Sequence, residues 1–541
     1  MWRALRTVPN RSLPPAAFLA LPSATRCYSL KSHKIQAIVL EHKRALEEDR
    51  DLILKVMGTL PSPREARQFL NRFSAPDPAA ADAAAAARAA TGPAGSIQET
   101  GAVPGTVQSF VDTLLWPTDH VALIKLEGPF DKTSLGAIAK TLVQLQRLGL
   151  MSIIMLDNQS WWQGAGALLS APLEPEAEEQ STEARRQMMK DMTQVVEEIE
   201  RSGGHARPVY EGVFEDLEYR PYDPTGRISE QITSKEITIT PGLRPLQSCL
   251  KLRQIPVMIP MATTKGSHII PVQSNNAMVA LAKYLGRSAT QGATHGPLVP
   301  MRLIVINTTG GIPLTRTNGI QGPTHCFVNL KDEYDTILDD LDNMDHLPDG
   351  LARSYRTNLD MIRDSLEYLP PTCSALITSS PSLTVITNLI TDKPLFSSTM
   401  RGQDPKVMLA TTVLRSGLDI FTFRNSLEGL DLKRLELLLE SSFGKPLDAD
   451  GFFTRIQDRT RTVILAGQDY KGAAIVTREG GDKRLEGDEQ HVLASVAYLD
   501  KFSVAPKSQG IGVADILWKK LTDEFPDLVW RSRSDNPVNK W

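Results

Sequence analysis

The sequence predicts an α/β fold, a doubly wound parallel sheet that is followed by a smaller α+β domain. Between residues 106 and 400, apolar strand-like runs alternate with helical stretches, as expected for a parallel sheet covered by helices. From about residue 401, a leucine-rich helix precedes several short strands and a glycine turn, which favours a mixed domain. The length of 541 residues is enough for about three to four folding units.

Composition excludes several classes of protein. The chain has 60 basic and 63 acidic residues, a balance that argues against a nucleic-acid-binding protein. Four cysteines without a CxxC pair favour a reducing compartment over a disulfide framework or a cysteine zinc site. The nine histidines show no HxxxH or HxH spacing, so we expect no metal. No apolar run reaches the about 18 residues of a membrane span, so we expect no membrane association.

The N-terminal segment has the composition of a targeting signal. Residues 1–40 contain six basic residues and no acidic one, and prolines interrupt any secretory apolar core. We predict a mitochondrial transit peptide over 1–28, cut after Tyr28, and a location in the mitochondrial matrix; a disordered basic tail is the alternative. Residues 29–74 have helical periodicity, and residues 75–105 form an Ala/Pro/Gly-rich linker.

Within the domain predicted over residues 106–400, the buried strands are the apolar runs and the helices lie between them. The strands are predicted over 121–126, 152–156, 256–260, 302–307 and 374–378, and the helices over 133–149, 183–201, 274–286 and 333–343.

The domain predicted over residues 401–541 begins with a leucine-rich helix over 430–442. Strands are predicted after it over 462–466, 473–477, 494–498, 498–504 and 528–531, with a helix over 513–523.

One loop of this second domain has the pattern of a phosphate-binding turn. A strand runs through Phe502, Ser503 and Val504 into a turn, and a helix starts directly after Gly512. Glycines let the backbone approach a ligand closely, and a new helix offers free N–H groups to an anion. An ordinary strand–turn–helix connection is the alternative. No acidic residue of a second βαβ unit follows, so this is not a dinucleotide fingerprint.

Two arginines follow on the next strand. Arg531 and Arg533 are two residues apart, so their side chains point to the same face and can grip one anion together. Read alone, such a pair is more often a solvated surface.

Together these segments resemble two known families. Lys507–Gly512 resembles the Q/R-x-x-G-x-G/A loop of the GCN5-related N-acetyltransferases (GNAT), with lysine in the first position. With the run Tyr498–Phe502 and the Arg-Ser-Arg-x-x-Asn segment, the chain resembles the N-acetylglutamate synthases of the vertebrate-like and fungal type, over residues 106–541.

The resemblance implies acetyl transfer from acetyl-CoA to L-glutamate, the first step of arginine biosynthesis. It implies that cationic and amide side chains hold the glutamate carboxylates: Lys445, Lys501, Arg531, Arg533 and Asn536. It implies that the coenzyme lies along the strand and loop formed by Phe502, Ser503, Val504, Gln509, Gly510, Ile511, Gly512 and Val513. Asp500, His491 or a water relay are candidates for the base that deprotonates the amine.

The upstream domain resembles the amino-acid kinase fold of acetylglutamate kinase. Glu127 and Pro129 stand where kinases have a glycine-rich phosphate loop, and Asn307 stands where kinases use Thr-Asp, so we expect phosphoryl transfer to be disabled. The resemblance implies feedback inhibition by L-arginine and a complex with acetylglutamate kinase; we also expect a homo-oligomer.

The family pattern continues beyond the last residue of this sequence, Trp541, with Tyr-Phe and two closing strands. We therefore expect an acetyltransferase domain that is incomplete at its C-terminus. Two alternatives stay open: a catalytically impaired, arginine-sensing partner of acetylglutamate kinase, and an active amino-acid kinase. Acetyl-CoA turnover would exclude the first, and ATP-dependent phosphorylation of acetylglutamate would revive the second.

Overall fold

The computed structural model describes residues 120–147, 150–162, 175–216, 237–239, 243–264, 267, 269–290, 299–314, 324–344, 349–379, 411–480, 495–509 and 511–533. These residues belong to one compact unit, Thr59–Trp541. The predicted transit peptide over 1–28, the helical segment over 29–74 and the linker over 75–105 lie outside the described residues.

The larger domain contains an eight-stranded sheet. Its strands are β1 (His120–Glu127), β2 (Leu150–Asp157), β3 (Ala206–Val209), β6 (Ile255–Met258), β9 (Pro300–Asn307), β10 (Phe327–Asn329), β11 (Ser374–Ser379) and β12 (Thr411–Arg415). Their order across the sheet is β10-β12-β11-β9-β1-β2-β6-β3. A smaller sheet, in the order β5-β4-β7-β8, is formed by β4 (Phe214–Asp216), β5 (Ile237–Ile239), β7 (Met261–Thr264) and β8 (Ile269–Pro271).

Most of the large sheet is parallel. From β11 through β9, β1, β2 and β6 to β3, neighbouring strands pair in parallel, while β12 pairs antiparallel with β11 and parallel with β10. The α/β class predicted from the sequence is confirmed. At one edge of the sheet, β10 and β12 run opposite to the other strands. The central strands are apolar throughout because both faces of the sheet are covered.

Helices lie against this sheet and are buried by their apolar faces. They are α1 (Lys132–Arg147), α2 (Pro175–Arg201), α3 (Arg244–Lys251), α4 (Ser274–Thr290), α5 (Leu330–Asp342) and α6 (Asp349–Tyr368). Residues of α3, α4, α5 and α6 share one core with alternate residues of β1 and β2, such as Leu123 and Ile153. Helix α1 packs against β2 and α2. Helices α3 and α6 were not predicted from the sequence.

The smaller domain is a four-stranded antiparallel sheet in the order β13-β14-β15-β16. Its strands are β13 (Ile420–Arg424), β14 (Thr460–Ala466), β15 (Gly472–Glu479) and β16 (Val496–Val504), and its helices are α7 (Leu432–Phe443), α8 (Ala449–Gln457) and α9 (Val513–Glu524). Helix α9 packs on one face of the sheet, and α7 and α8 pack on the other. Strand β16 joins residues of two runs that were predicted separately, 494–498 and 498–504.

The two domains meet where β12 leads into β13. Because β12 belongs to the large sheet, that sheet extends past the boundary predicted at residue 400. Asn329 fixes the connection: its amide donates to the Leu418 carbonyl at 2.9 Å and accepts from the Leu418 N–H at 3.1 Å. Gly417 has a φ of 81°, and a Cβ there would lie 1.7 Å from Asn329 Oδ1, so this turn requires glycine. No helix in the described part of the chain is long and apolar enough to cross a membrane.

Candidate active site

A β-bulge interrupts β16 in the middle of the smaller domain. Ile475 of β15 is opposite Lys501, and Val476 is opposite Leu499, so Asp500 is the extra residue. On the other side of β16, the segment after α9 runs parallel: Leu499 N–H donates to Val529 O at 2.8 Å, and Val529 N–H donates to Ala497 O at 3.0 Å. Within the described residues, the pairing between these two segments ends before the bulge.

The bulge places Asp500 between two cations. Lys501 Nζ lies 2.6 Å from Asp500 Oδ1, and Arg455 Nη2 lies 2.6 Å from Asp500 Oδ2. The Asp500 side chain is 5% exposed, whereas that of Arg455 is 43% exposed. Both carboxylate oxygens are therefore engaged by cations, an arrangement that favours a positioning role for Asp500 over proton abstraction.

The aromatic ring of Phe452 packs against the same cluster. Lys501 Nζ is 5.0 Å from the centre of this ring, and the Arg455 guanidinium carbon is 5.4 Å from it, so both cations contact the ring by cation–π attraction. Phe452 and Arg455 belong to α8, a helix that the sequence analysis missed. A signal for it exists, because the Asp448 carboxylate caps the helix by accepting from Gly451 N–H.

The other glutamate-binding residues predicted from the resemblance lie on neighbouring elements. Lys445 is exposed, one residue beyond the Gly444 cap of α7, and α7 packs against β16. Arg531 and Arg533 are exposed and come shortly after Val529 in sequence. Val529 forms a parallel bridge with Tyr498, and Lys501 comes shortly after Tyr498 on β16. Asn536 and the base candidate His491 lie outside the described residues.

Aromatic contacts hold β16 against α9. The Phe502 ring packs edge-to-face on Trp518 of α9 at 6.0 Å between centres, and Trp518 packs on Trp530 at 5.8 Å. The neighbouring Ser503 is buried, and its hydroxyl donates to the Ala473 carbonyl at 3.4 Å. These contacts fix the strand along which the coenzyme is predicted to lie.

The predicted pyrophosphate loop joins β16 to α9. A short 3₁₀ turn, Pro506–Ser508, is followed by Gln509 in extended conformation. Gly512 is the N-cap residue of α9 and has a φ of 83°. No side chain among the described residues caps this helix start, so the amides of its first turn can receive an anion. The turn therefore suits the pyrophosphate of acetyl-CoA. The predicted coenzyme residues Ile511 and Val513 lie on either side of Gly512, and Gly510 lies outside the described residues.

A second charged cluster lies in the larger domain, at the segment that the sequence analysis compared with the phosphate loop of kinases. Lys125 is 2% exposed and lies 2.8 Å from Glu127 Oε1 and 2.9 Å from Asp157 Oδ2, and it donates to Asn358 Oδ1 at 2.8 Å. Burial lowers the pKa of Lys125, but Asp157 and Glu127 raise it, and its net pKa lies above the usual value. Because Glu127 and Asp157 neutralise the ammonium, it is a poor phosphate ligand.

Among the described residues, no group of three or more His, Cys, Asp or Glu side chains could hold a metal ion. The two cations around Asp500 carry more positive charge than this carboxylate neutralises, which suits the carboxylates of an amino acid.

Comparisons with known proteins agree with this geometry. Residues 422–541 match the family model of the N-acetyltransferase domain of N-acetylglutamate synthase. A mitochondrial amino-acid acetyltransferase of Laccaria bicolor is 34% identical, covering 81% of this chain and 77% of the relative. The corresponding protein of Coprinopsis cinerea is 32% identical, covering 91% of this chain and 82% of the relative.

A solved structure of N-acetylglutamate synthase from Neisseria gonorrhoeae, complexed with coenzyme A and N-acetylglutamate, is 12% identical. It aligns with 78% of this chain and 87% of its own length, at a TM-score of 0.44.

Proposed function

The chain belongs to the family of mitochondrial amino-acid acetyltransferases, and from this premise we propose that it transfers the acetyl group of acetyl-CoA to the α-amine of L-glutamate. The observation that supports this proposal best is the bulged strand β16. Its bulge carries Asp500, which is paired with two cationic side chains, Lys501 and Arg455, and its end leads into the glycine-capped start of α9. One strand thus connects a carboxylate-binding region with an anion-binding helix start.

In this proposal, glutamate lies beside the bulge with its two carboxylates held by Lys501 and by the cations of the flanking elements, Lys445, Arg531 and Arg533. Asn536 would complete the set. Several converging cations are needed because a dicarboxylate loses much hydration when it binds. Asp500 and Arg455 contribute by fixing the Lys501 ammonium at its position.

Acetyl-CoA would lie along Phe502–Val504, with its pyrophosphate on Gln509–Val513. The neutral α-amine attacks the thioester carbonyl carbon, so that a C–N bond forms and, as the tetrahedral intermediate collapses, the C–S bond breaks. The nitrogen gives up a proton and the coenzyme thiolate takes one. Backbone N–H groups at the bulge of β16 would stabilise the oxyanion. We propose that the amine proton leaves through a water relay, and His491 is the alternative base. Asp500 is the weaker candidate because both of its oxygens are paired with cations.

The larger domain is proposed to be regulatory. Neutralisation of Lys125 by Glu127 and Asp157 supports the loss of phosphoryl transfer. We propose that this domain binds L-arginine as a feedback inhibitor, that the protein is a homo-oligomer in the mitochondrial matrix, and that acetylglutamate kinase is its partner.

The test is mass-spectrometric detection of N-acetylglutamate formed from glutamate and acetyl-CoA, with and without L-arginine. The Laccaria bicolor relative serves as the reference enzyme in the same assay. We expect product, a preference for glutamate over aspartate and glutamine, and less product with arginine. Product from this chain at no more than the uncatalysed rate, next to an active reference, would refute the proposal. Arginine-insensitive product would refute the regulatory part alone.

A further inference from the structure

The ring of Phe452 is a neutral partner of both cations in the Asp500 cluster. Lys501 Nζ lies 5.0 Å from the centre of this ring, and the Arg455 guanidinium carbon lies 5.4 Å from it. Both distances are within the about 6 Å over which the electron-rich face of an aromatic ring attracts a cation. The mechanism above gives the ring no role, although it touches the lysine that is proposed to hold glutamate.

Packing inside the smaller domain fixes this ring. Phe452 is 7% exposed and belongs to the core that α7 and α8 share with the sheet, where its neighbours include Leu435 and Leu438. The Phe453 ring packs edge-to-face against it at 5.3 Å between centres. Side chains in a close-packed core keep one position on average, so a cation on the face of this ring is held at a defined place.

A neutral ring and a carboxylate hold an ammonium with different consequences. Asp500 Oδ1 lies 2.6 Å from Lys501 Nζ, and this ion pair lowers the positive charge that a substrate carboxylate meets. The Phe452 ring attracts the same ammonium through its quadrupole and carries no net charge. The ring therefore restrains Lys501 without neutralising it.

This restraint leaves the ammonium able to bind a substrate. An ammonium has three N–H donors, and Asp500 accepts from Lys501 at Oδ1 and, 3.4 Å away, at its backbone carbonyl. The Lys501 side chain is 27% exposed, so its ammonium is accessible to a ligand. Ordering a flexible side chain during binding lowers affinity, and a lysine that is already held in place avoids this loss.

We propose that Phe452 is a positioning residue for L-glutamate: the face of its ring holds the Lys501 ammonium where a substrate carboxylate binds and leaves the charge of that ammonium available. This inference rests on the proposed function. It concerns the glutamate side of the site alone, so the KM for glutamate and the KM for acetyl-CoA respond differently.

The experiment replaces Phe452 of the full chain by 4-fluoro-, 3,5-difluoro- and 3,4,5-trifluorophenylalanine through amber suppression. Each fluorine withdraws electron density from the ring face and weakens its attraction for a cation, while the ring keeps nearly the same shape. We expect the KM for glutamate to rise stepwise with the number of fluorines, by about twofold to fivefold for the trifluoro ring. The kcat and the KM for acetyl-CoA should change less than about twofold.

Phe525 provides the matched control. The guanidinium carbon of Arg461 lies 4.9 Å from the centre of its ring, so this is a cation–π pair of the same domain that has no role in the proposed site. The same three replacements at Phe525 should leave the KM for glutamate unchanged. A further variant, Phe452→Leu, keeps an apolar side chain and removes the ring, and it should raise the KM for glutamate at least as much as the trifluoro ring.

The inference is overturned by a KM for glutamate that does not depend on the number of fluorines, by an equal rise for acetyl-CoA, or by an equal rise in the Phe525 series. If Phe452→Leu does not fold, the fluorinated series decides, because it keeps the shape of the ring. Failure of the proposed function is distinguishable, because wild type then forms no N-acetylglutamate. Calorimetric titration of the same proteins with L-glutamate decides in that case: affinity that falls with fluorination supports the role of Phe452, and unchanged or absent binding overturns it.

Discussion

Replacement of Arg455 by methionine should weaken glutamate binding while leaving catalysis intact. In the folded protein, Asp500 shares its negative charge between Lys501 and Arg455, so the three charges sum to one positive charge. Without Arg455 the sum is zero, and Asp500 neutralises Lys501 completely. The Lys501 ammonium is then less available to a substrate carboxylate.

The size of this effect follows from Coulomb's law. One unit charge about 6 Å from a carboxylate contributes about 0.7 kcal/mol at the dielectric constant of water and about 2.8 kcal/mol at an effective value of about 20. Because Arg455 is 43% exposed, solvent screening puts the expected loss toward the lower half of this range. A loss of about 1 to 1.7 kcal/mol raises the KM for glutamate by roughly fivefold to twentyfold.

The assay is a glutamate titration of the acetyl transfer rate at saturating acetyl-CoA. Arg434→Met is the matched control, since Arg434 is an exposed arginine of the same domain that pairs with Asp431. We expect kcat and the KM for acetyl-CoA to stay within about twofold of wild type. An unchanged KM for glutamate in Arg455→Met would refute the reasoning about shared charge.

A second variant of the cluster tests the role of Asp500. General bases typically contribute about a hundredfold to ten-thousandfold to the rate, so Asp500→Asn would lower kcat by at least a hundredfold if Asp500 removes the amine proton. We expect a much smaller change in kcat, because both Asp500 oxygens are bound by cations. A loss of kcat as large as a general base predicts would reassign Asp500 as the base.

Three further predictions concern the larger domain and the junction. Lys519→Met should lower the free energy of unfolding by about 1 to 3 kcal/mol by urea denaturation, and a double-mutant cycle with Glu333→Gln should show strong coupling. Burial and the Lys519 charge lower the pKa of His325 to about 4, so stability should fall by up to about 3 kcal/mol between pH 6.5 and 4, and His325→Asn should flatten this pH dependence. Lys125→Met should destabilise the protein by about 3 to 5 kcal/mol, because it leaves the half-buried carboxylates of Glu127 and Asp157 without this cation; an unchanged melting temperature would contradict this.

The sign for His325 follows from its folded pKa, which lies below the unfolded value of about 6.5. Above pH 6.5 both states are neutral and the group does not affect stability. Below it, the unfolded chain binds a proton that the folded protein binds only near pH 4, so protonation favours unfolding. Stability that is independent of pH in this window would show that His325 is not buried as a neutral group.

The pattern of apolar residues predicted the central strands and most long helices. The strands are buried on both faces and are apolar throughout, and the helices are buried along one side and have apolar residues at helical spacing. The strands around Leu123, Ile153 and Leu303 and the helix after Gly512 are examples. Helix α8 was missed because it has only nine residues and two adjacent phenylalanines, which match a strand as well as a helix. Helix α6 was missed although it is long, because its apolar residues are sparse among charged ones.

Side-chain partners were the part that the sequence could not provide. Lys501 was identified through the family resemblance, but its contacts with Asp500 and Phe452 depend on a bulge, and a bulge leaves no periodic signal. The proximity of Arg415 at the end of β12 to Gly512 was not predicted, for a related reason. The two residues are almost a hundred positions apart in sequence, and they meet only because the edge of the large sheet lies beside α9.

The glutamate half of the proposed site makes its contacts within the smaller domain, whereas the coenzyme half contacts the larger domain. This difference affects how feedback inhibition could work. On the glutamate side, Lys501 and Asp500 pair within the smaller domain with Arg455 of α8. On the coenzyme side, Gly512 contacts Arg415 of β12, and Lys519 of the same helix contacts α5 and β10. A ligand that shifts the edge of the large sheet would therefore move the coenzyme loop directly. An inhibitor bound to the larger domain is thus better placed to weaken acetyl-CoA binding than glutamate binding, because coupling requires elements that both sites share.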